Sequence, residues 1–472
     1  MGREFISPIL VGRTDEARAP LFYRLFGLDT MLLAAALLLV GLGTLVVYAA
    51  LRGSPNFDLF WARHLAALTI GLSVGLIMII LPTALIAEAC PVLYVASLAL
   101  LSTVLLFGRV IHGSKSWFVM GPVQFQPSEL AKFTTILYAS YLAVRFRERD
   151  PLITIADRLK LVAACALPMI LVLAQNDVSS ALSFVFILAA YAWSLDLLAG
   201  GWIALLGLSG FGAFVFLLGH ITAGLSIGEL GQVSSFLMGL GFGPGATAGK
   251  WLIWALAMLA AAIAVFKLLQ GLFVVSPRAS WVWPFVVALA LGASAGAGYS
   301  GWKTLKGYQK NRLISFLFPR ADPLGSGYNI TQSKIALGSG GFLGKGLLSG
   351  SQASLGFLPE RHTDFAFASL GETMGFIGTT GALVLFGLLF WRLTRFTELA
   401  REEWGKLVAL GLLSIWFGEV SINIAYVSGL FPILGIGLPF LSYGGSRLVV
   451  NALEMGLLLA VSRGFFVYRG QR

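Results

Sequence analysis

The chain is 472 residues long, 57% hydrophobic and only 12% charged, about half the charged share of a soluble domain; recurring apolar runs long enough to cross a bilayer make it an all-α polytopic membrane protein. Those runs lack strand-like alternation, which excludes a membrane barrel, and the two cysteines, Cys90 and Cys165, sit inside apolar runs where they suggest neither a disulfide framework nor a metal pair. The net charge of +11 comes without a basic helix interleaved with aromatics, so anionic lipid is the expected partner surface and nucleic acid is not.

Residues 1–27 are polar and charged, and the apolar run at 28–51 is too long for a signal-peptide core, so an uncleaved first span is predicted there. Further spans are predicted at about 64–86, 89–108, 128–144, 160–176, 178–195, 199–220, 249–275, 282–299, 373–393, 407–430 and 447–465, about twelve in all, within one integral-membrane domain covering 1–472. Four basic clusters fall on one side of such an arrangement. They are the N-terminal segment (Arg3, Arg13, Arg18, Arg24), the 145–160 loop, the 392–406 loop and the C-terminal tail. The positive-inside rule makes that side, and both termini, cytoplasmic.

Between the third and fourth predicted spans lies the stretch HGSKSWFVMGPVQFQPSELAKF, residues 112–133, on the opposite side. Lys115 and Trp117 suit either interfacial anchoring or ligand binding. Glu129 and Lys132 stand three apart on one helical face inside an apolar span, where charge is costly and is paired or functional. Arg63, Glu372, Glu419 and Asn423 add polar groups to other spans, and Asp177 lies at a break between two. Packing explains any one of them; several together point to a polar cavity.

The loop from 301 to 364 breaks the charge rule, with eight Lys/Arg against three acids, Asp322, Glu360 and Asp364. Asp322-Pro323-Leu324-Gly325 fits a type I turn, so Asp322 is either a turn residue or a base beside a bound anion, given Arg312, Arg320, Lys334 and Lys345 nearby in sequence. Glu360, Arg361, His362, Thr363 and Asp364 open the next span, either as caps, with Thr363 or Asp364 at the N-cap, or as a second ligand-facing motif. In LPFLSYGGSRL, residues 438–448, Gly444 and Gly445 permit a tight turn and Ser446 is a candidate cap for the last span.

Taken together, KSWFVMGPVQFQPSELAKF, GYQKNRLISFLFPRADPLGSGYNITQSKIALGSGGFLGKGL, FLPERHTDFAFASLGETMGFIG and FPILGIGLPFLSYGGSR resemble the SEDS family of peptidoglycan glycosyltransferases, its RodA branch more than its FtsW branch. The resemblance covers roughly 28–220 and 300–465. It implies a bundle of ten core transmembrane helices with a large structured outer loop at 300–372. Two further helices are expected in 221–281, which has no counterpart in the resemblance.

The implied activity is polymerisation of lipid II into glycan strands at the outer face of the bacterial cytoplasmic membrane, for elongation and shape or for division. A lipid II flippase is the alternative. Asp322 matches the family's catalytic aspartate. Arg63, Trp117, Glu129, Lys132, Glu360, Arg361, His362 and Asp364 match its functional positions, and Lys115, Lys334 and Lys345 join them as candidate substrate contacts. A class B penicillin-binding protein is the implied partner, and a divalent cation, magnesium or manganese, is a candidate cofactor for which no motif is present. Three departures stand out: the 221–281 segment, Gln175-Asn176-Asp177-Val178-Ser179 in place of the family's Gln-Pro-Asp-Leu-Gly, and the added charges of Glu419 and Arg447.

Overall fold

A computed structural model describes residues 28–149 except 112 and 122, 154–195, 307, 310, 312, 315, 316, 325–350, 356–400 and 402–467. The chain divides into two units, Met1–Leu195 with Pro323–Arg472, and Asp196–Asp322; the elements below belong to the first. The predicted spans at 199–220, 249–275 and 282–299, the 221–281 segment and Asp322 lie outside the described residues.

Ten helices are described: α1 (Thr30–Leu51), α2 (Phe57–Ile80), α3 (Thr83–Phe107), α4 (Pro127–Arg149), α5 (Ile155–Ala174), α6 (Val178–Ser194), α7 (Ser326–Ser339), α8 (Ala366–Leu399), α9 (Glu403–Val427) and α10 (Gly445–Val467). Six of them, α1, α2, α3, α8, α9 and α10, contain stretches long and apolar enough to cross a membrane. Large side chains such as Leu38, Leu72, Ile77, Val92 and Val95 remain exposed on α1–α3. That is the expected surface where lipid is the solvent.

Two predicted boundaries are wrong, and proline gives the reason. The spans placed at 64–86 and 89–108 are α2 and α3, which begin seven and six residues earlier in sequence. Pro82 has no N–H to continue α2 and holds Leu81 extended, at φ −61° and ψ 137°. Pro91, by contrast, is carried inside α3.

The 112–133 stretch is also more ordered than a plain loop. Three antiparallel strands, β1 (Arg109–Ile111), β2 (Ser114–Met120) and β3 (Val123–Phe125), form a small sheet in that order. Arg109 pairs with Trp117 and Phe118 with Phe125. The β-branched and aromatic run Ser116–Met120 suits a pleated, half-buried surface.

Small residues let the helices close. α10 packs on α2 through Gly71, Gly75, Ala452 and Gly456, and a Cβ at Gly456 would strike the Gly75 carbonyl. α8 breaks at Gly375, with φ 64° and ψ −155°. Backbone from the segment after α7 fills that break: Lys345 N donates to Glu372 O at 2.9 Å, Gly346 N to Thr373 O at 3.0 Å, and Phe376 N to Gly341 O at 2.9 Å. A helix interrupted inside a membrane needs such substitutes for its lost ladder bonds.

Candidate functional site

α4 starts with proline at its first position, where the missing N–H costs nothing. Its first turns then carry Glu129 and Lys132 into the bundle. The Lys132 ammonium lies 2.8 Å from Glu129 Oε2 and 2.7 Å from Glu419 Oε1 of α9. Ser183 of α6 donates to the same Glu419 oxygen at 2.8 Å. Arg447, in the first turn of α10, reaches Glu129 Oε1 at 3.1 Å and gives its other terminal nitrogen to the Gly437 carbonyl at 2.6 Å. Two cations thus face two carboxylates, and Glu129, Lys132 and Glu419 are almost fully buried. Deeper along α10, Glu454 accepts a bond from Trp416 Nε1 at 3.0 Å.

Above this quartet two turns join into one surface. Tyr443 N donates to His362 O at 2.8 Å, and the two rings meet edge-on at 5.2 Å. Beneath them, Asn423 and Tyr426 of α9 both donate to the carbonyls of Asp364 and Ile436. From α2, Phe60 and His64 pack on Tyr443, and Phe60 also touches His362. Burial holds the His362 imidazole below its ordinary pKa, and burial raises the Tyr443 phenol, so both are neutral near pH 7.

Two arginines border this aromatic patch. Arg63 lies against the Phe60 ring, and its Nε is buried without a hydrogen-bond partner. Arg361 donates through Nε to Ala50 O at 2.7 Å, tying the 356–365 turn to the end of α1. Among the described residues neither guanidinium has a carboxylate partner.

The predicted site residues therefore fall into three groups. Arg63 and His362 meet around Tyr443, with Arg361, Glu360 and Asp364 on the same turn. Glu129 and Lys132 lie below, locked in the quartet. Lys345 pairs with buried Glu372 at 3.1 Å where the α8 break is filled.

The others stand apart. Lys115 donates through Nζ to Leu106 O at 3.0 Å, and Trp117 sits beside it on β2. Lys334 is exposed on α7, its stem lying over Gly429. Asp177 bonds Gln126, the Ser180 amide and the Ser180 hydroxyl at the start of α6.

Two capping expectations fail. The N-cap of α8 is Phe365, with no side-chain bond, while Thr363 turns back to Glu360. Ser446 bonds Gln124 O and Gln126 N, stitching α10 to β3. Sequence reasoning missed Tyr443, His64 and Glu454. A carboxylate inside the run NALEMGLLLA was the available signal for Glu454.

Comparison with known proteins bears on what this arrangement does. The family model FTSW_RODA_SPOVE, described as cell cycle protein, matches residues 29–236 and 250–465. The chain is 31% identical over 452 residues to the peptidoglycan glycosyltransferase MrdB of Escherichia coli K12, covering 95% of this chain and 97% of that protein. A solved structure described as the structural coordination of polymerization and crosslinking by a peptidoglycan synthase complex superimposes with a TM-score of 0.59 at 28% identity, over 92% of this chain and 98% of that one. The crystal structure of the rod shape determining protein RodA from Thermus thermophilus shares the fold, with a TM-score of 0.54 at 23% identity over 92% and 97% of the two chains.

Proposed function

Because the chain belongs to the FtsW/RodA/SpoVE cell cycle protein family, the SEDS peptidoglycan glycosyltransferases, we propose that it polymerises lipid II at the outer face of the bacterial cytoplasmic membrane, with both termini inside. It is a multi-pass membrane protein and a peptidoglycan glycosyltransferase. The finer reading places it in the RodA branch, with a class B penicillin-binding protein as partner; the likeness to a peptidoglycan synthase complex supports such a partner.

One observation supports the chemistry best. The Arg63 guanidinium stands beside Tyr443, whose ring meets that of His362, and among the described residues its buried Nε has no partner. Cationic donors without protein carboxylates are what a lipid-linked diphosphate needs as it departs.

In this reading the acceptor sugar's 4-hydroxyl attacks the donor's anomeric carbon. The bond from that carbon to the diphosphate breaks, and its electron pair leaves with the phosphate oxygen. Asp322 takes the hydroxyl proton, and Arg63 and Arg361 balance the charge that develops on the diphosphate. Uncharged His362 and Tyr443 line the site without competing for it. Among the described residues no three His, Cys, Asp or Glu side chains converge as a metal site.

The test is a reconstituted assay. Purified protein in lipid nanodiscs, with and without a class B penicillin-binding protein, is expected to convert labelled lipid II into glycan polymer. A protein that moved lipid II across vesicle bilayers and formed no polymer would be a flippase.

A further inference from the structure

Arg447 and Glu419 complete the buried quartet, and the reaction above assigns neither of them a role. Among the described residues, Arg447 joins the buried quartet to the turn that carries Tyr443: one nitrogen meets Glu129 Oε1 at 3.1 Å and another meets Gly437 O at 2.6 Å. The turn it holds continues through Ser442, whose Oγ accepts from Leu438 N at 2.8 Å, to Tyr443 N, which bonds His362 O at 2.8 Å. Glu419 faces the other cation, Lys132, at 2.7 Å.

The charges also close. Glu129 and Lys132 alone would be neutral, and Glu419 and Arg447 add one charge of each sign. Either of them without the other would leave a net charge buried among helices, which is costly in a bilayer.

We propose that Arg447 is a positioning residue, fixing the 437–444 turn and through it Tyr443 and His362, and that Glu419 is the counter-charge that lets Arg447 occupy this buried place. The fork of the guanidinium is essential to the first role, because one rigid plane must serve a carboxylate and a carbonyl at once. Charge is essential only to the second. The two roles therefore separate under mutation.

The catalytic part rests on the glycosyltransferase reading; the structural part does not. Four proteins are compared with wild type: R447K, R447M, E419Q and the double variant R447M/E419Q. Each is purified in the same lipid nanodiscs. Thermal unfolding reads the charge balance, and hydrogen exchange at the Tyr443 amide reads the turn.

R447M and E419Q are each expected to unfold at lower temperature, and the double variant to recover most of that loss. R447K is expected to keep its unfolding temperature. Exchange at Tyr443 is expected to quicken about tenfold or more in R447K, R447M and the double variant, the scale of losing one charge-assisted hydrogen bond. Lipid II polymerisation by R447K and by the double variant should then fall in kcat with KM little changed.

A double variant less stable than R447M would overturn the counter-charge role. Wild-type exchange at Tyr443 in R447K, or wild-type kcat with quickened exchange, would overturn the positioning role. If wild type itself made no polymer while the exchange and unfolding results held, the glycosyltransferase reading would fall and the structural pair would stand.

Discussion

Lys132→Met removes one positive charge from an almost fully buried cluster of ions. The ammonium sits 2.8 Å from Glu129 and 2.7 Å from Glu419, with both the lysine and each carboxylate side chain only 3% exposed. After substitution Arg447 still neutralises Glu129, while Glu419 keeps only the Ser183 hydroxyl at 2.8 Å. Breaking a buried pair by deleting one partner costs about 3–5 kcal/mol. A loss of that size should lower the unfolding midpoint by roughly 5 °C or more.

The double variant Lys132→Met/Glu419→Gln is the control. It removes the stranded charge, keeps an acceptor for Ser183, and leaves the Glu129–Arg447 pair intact, so most of the midpoint should return. Tryptophan fluorescence during a thermal ramp of the solubilised protein is the assay. An unchanged midpoint in Lys132→Met, together with lost polymerisation, would refute this reasoning. It would make Lys132 a substrate contact and not a structural ion.

Two further outcomes follow from the same geometry. Burial depresses the His362 pKa, so the unfolded chain takes up this proton at a higher pH than the folded one; stability should be intact above the unfolded value of about 6.5 and be lost as pH falls through the folded value, and His362→Gln should flatten that slope in chemical unfolding measured from pH 7.5 to 5. Gly375→Ala places a Cβ against the Gly344 amide at a residue with φ 64°, so about 1–3 kcal/mol of destabilisation is expected, read as a lower thermal midpoint with accelerated hydrogen exchange at Phe376.

Much of this was legible in the residues, for identifiable reasons. Apolar length gave the membrane class because a bilayer admits few alternatives. Glu129 and Lys132 stood out because a charge inside an apolar run demands a partner. The partners themselves were not readable, since Glu419 lies 287 residues beyond Lys132 and Arg447 lies 318 beyond Glu129, and only folding brings them together. Where sequence reading failed, a local rule met a tertiary competitor. Thr363 and Ser446 have the right chemistry for caps, yet each hydroxyl finds a better partner, one in its own turn and one across on β3 and its exit. Lys345 pairs with Glu372 at 3.1 Å, a partner that its loop sequence did not announce. Tyr443 was overlooked because a tyrosine before two glycines carries no periodic signal; its importance is visible only through the rings around it.

The central proposal is that Asp322 acts as the base of glycan polymerisation and that Arg63 and Arg361 accept the departing diphosphate. Purified wild type and Asp322→Asn, each with a class B penicillin-binding protein in lipid nanodiscs, should be compared for synthesis of glycan polymer from labelled lipid II. Asparagine keeps the size and turn-forming tendency of aspartate, so a turn residue would tolerate it. The account predicts a folded, partner-bound Asp322→Asn protein whose polymerisation is slower by about 10²-fold or more while lipid II binding survives. Polymer formation at the wild-type rate by that variant would contradict it.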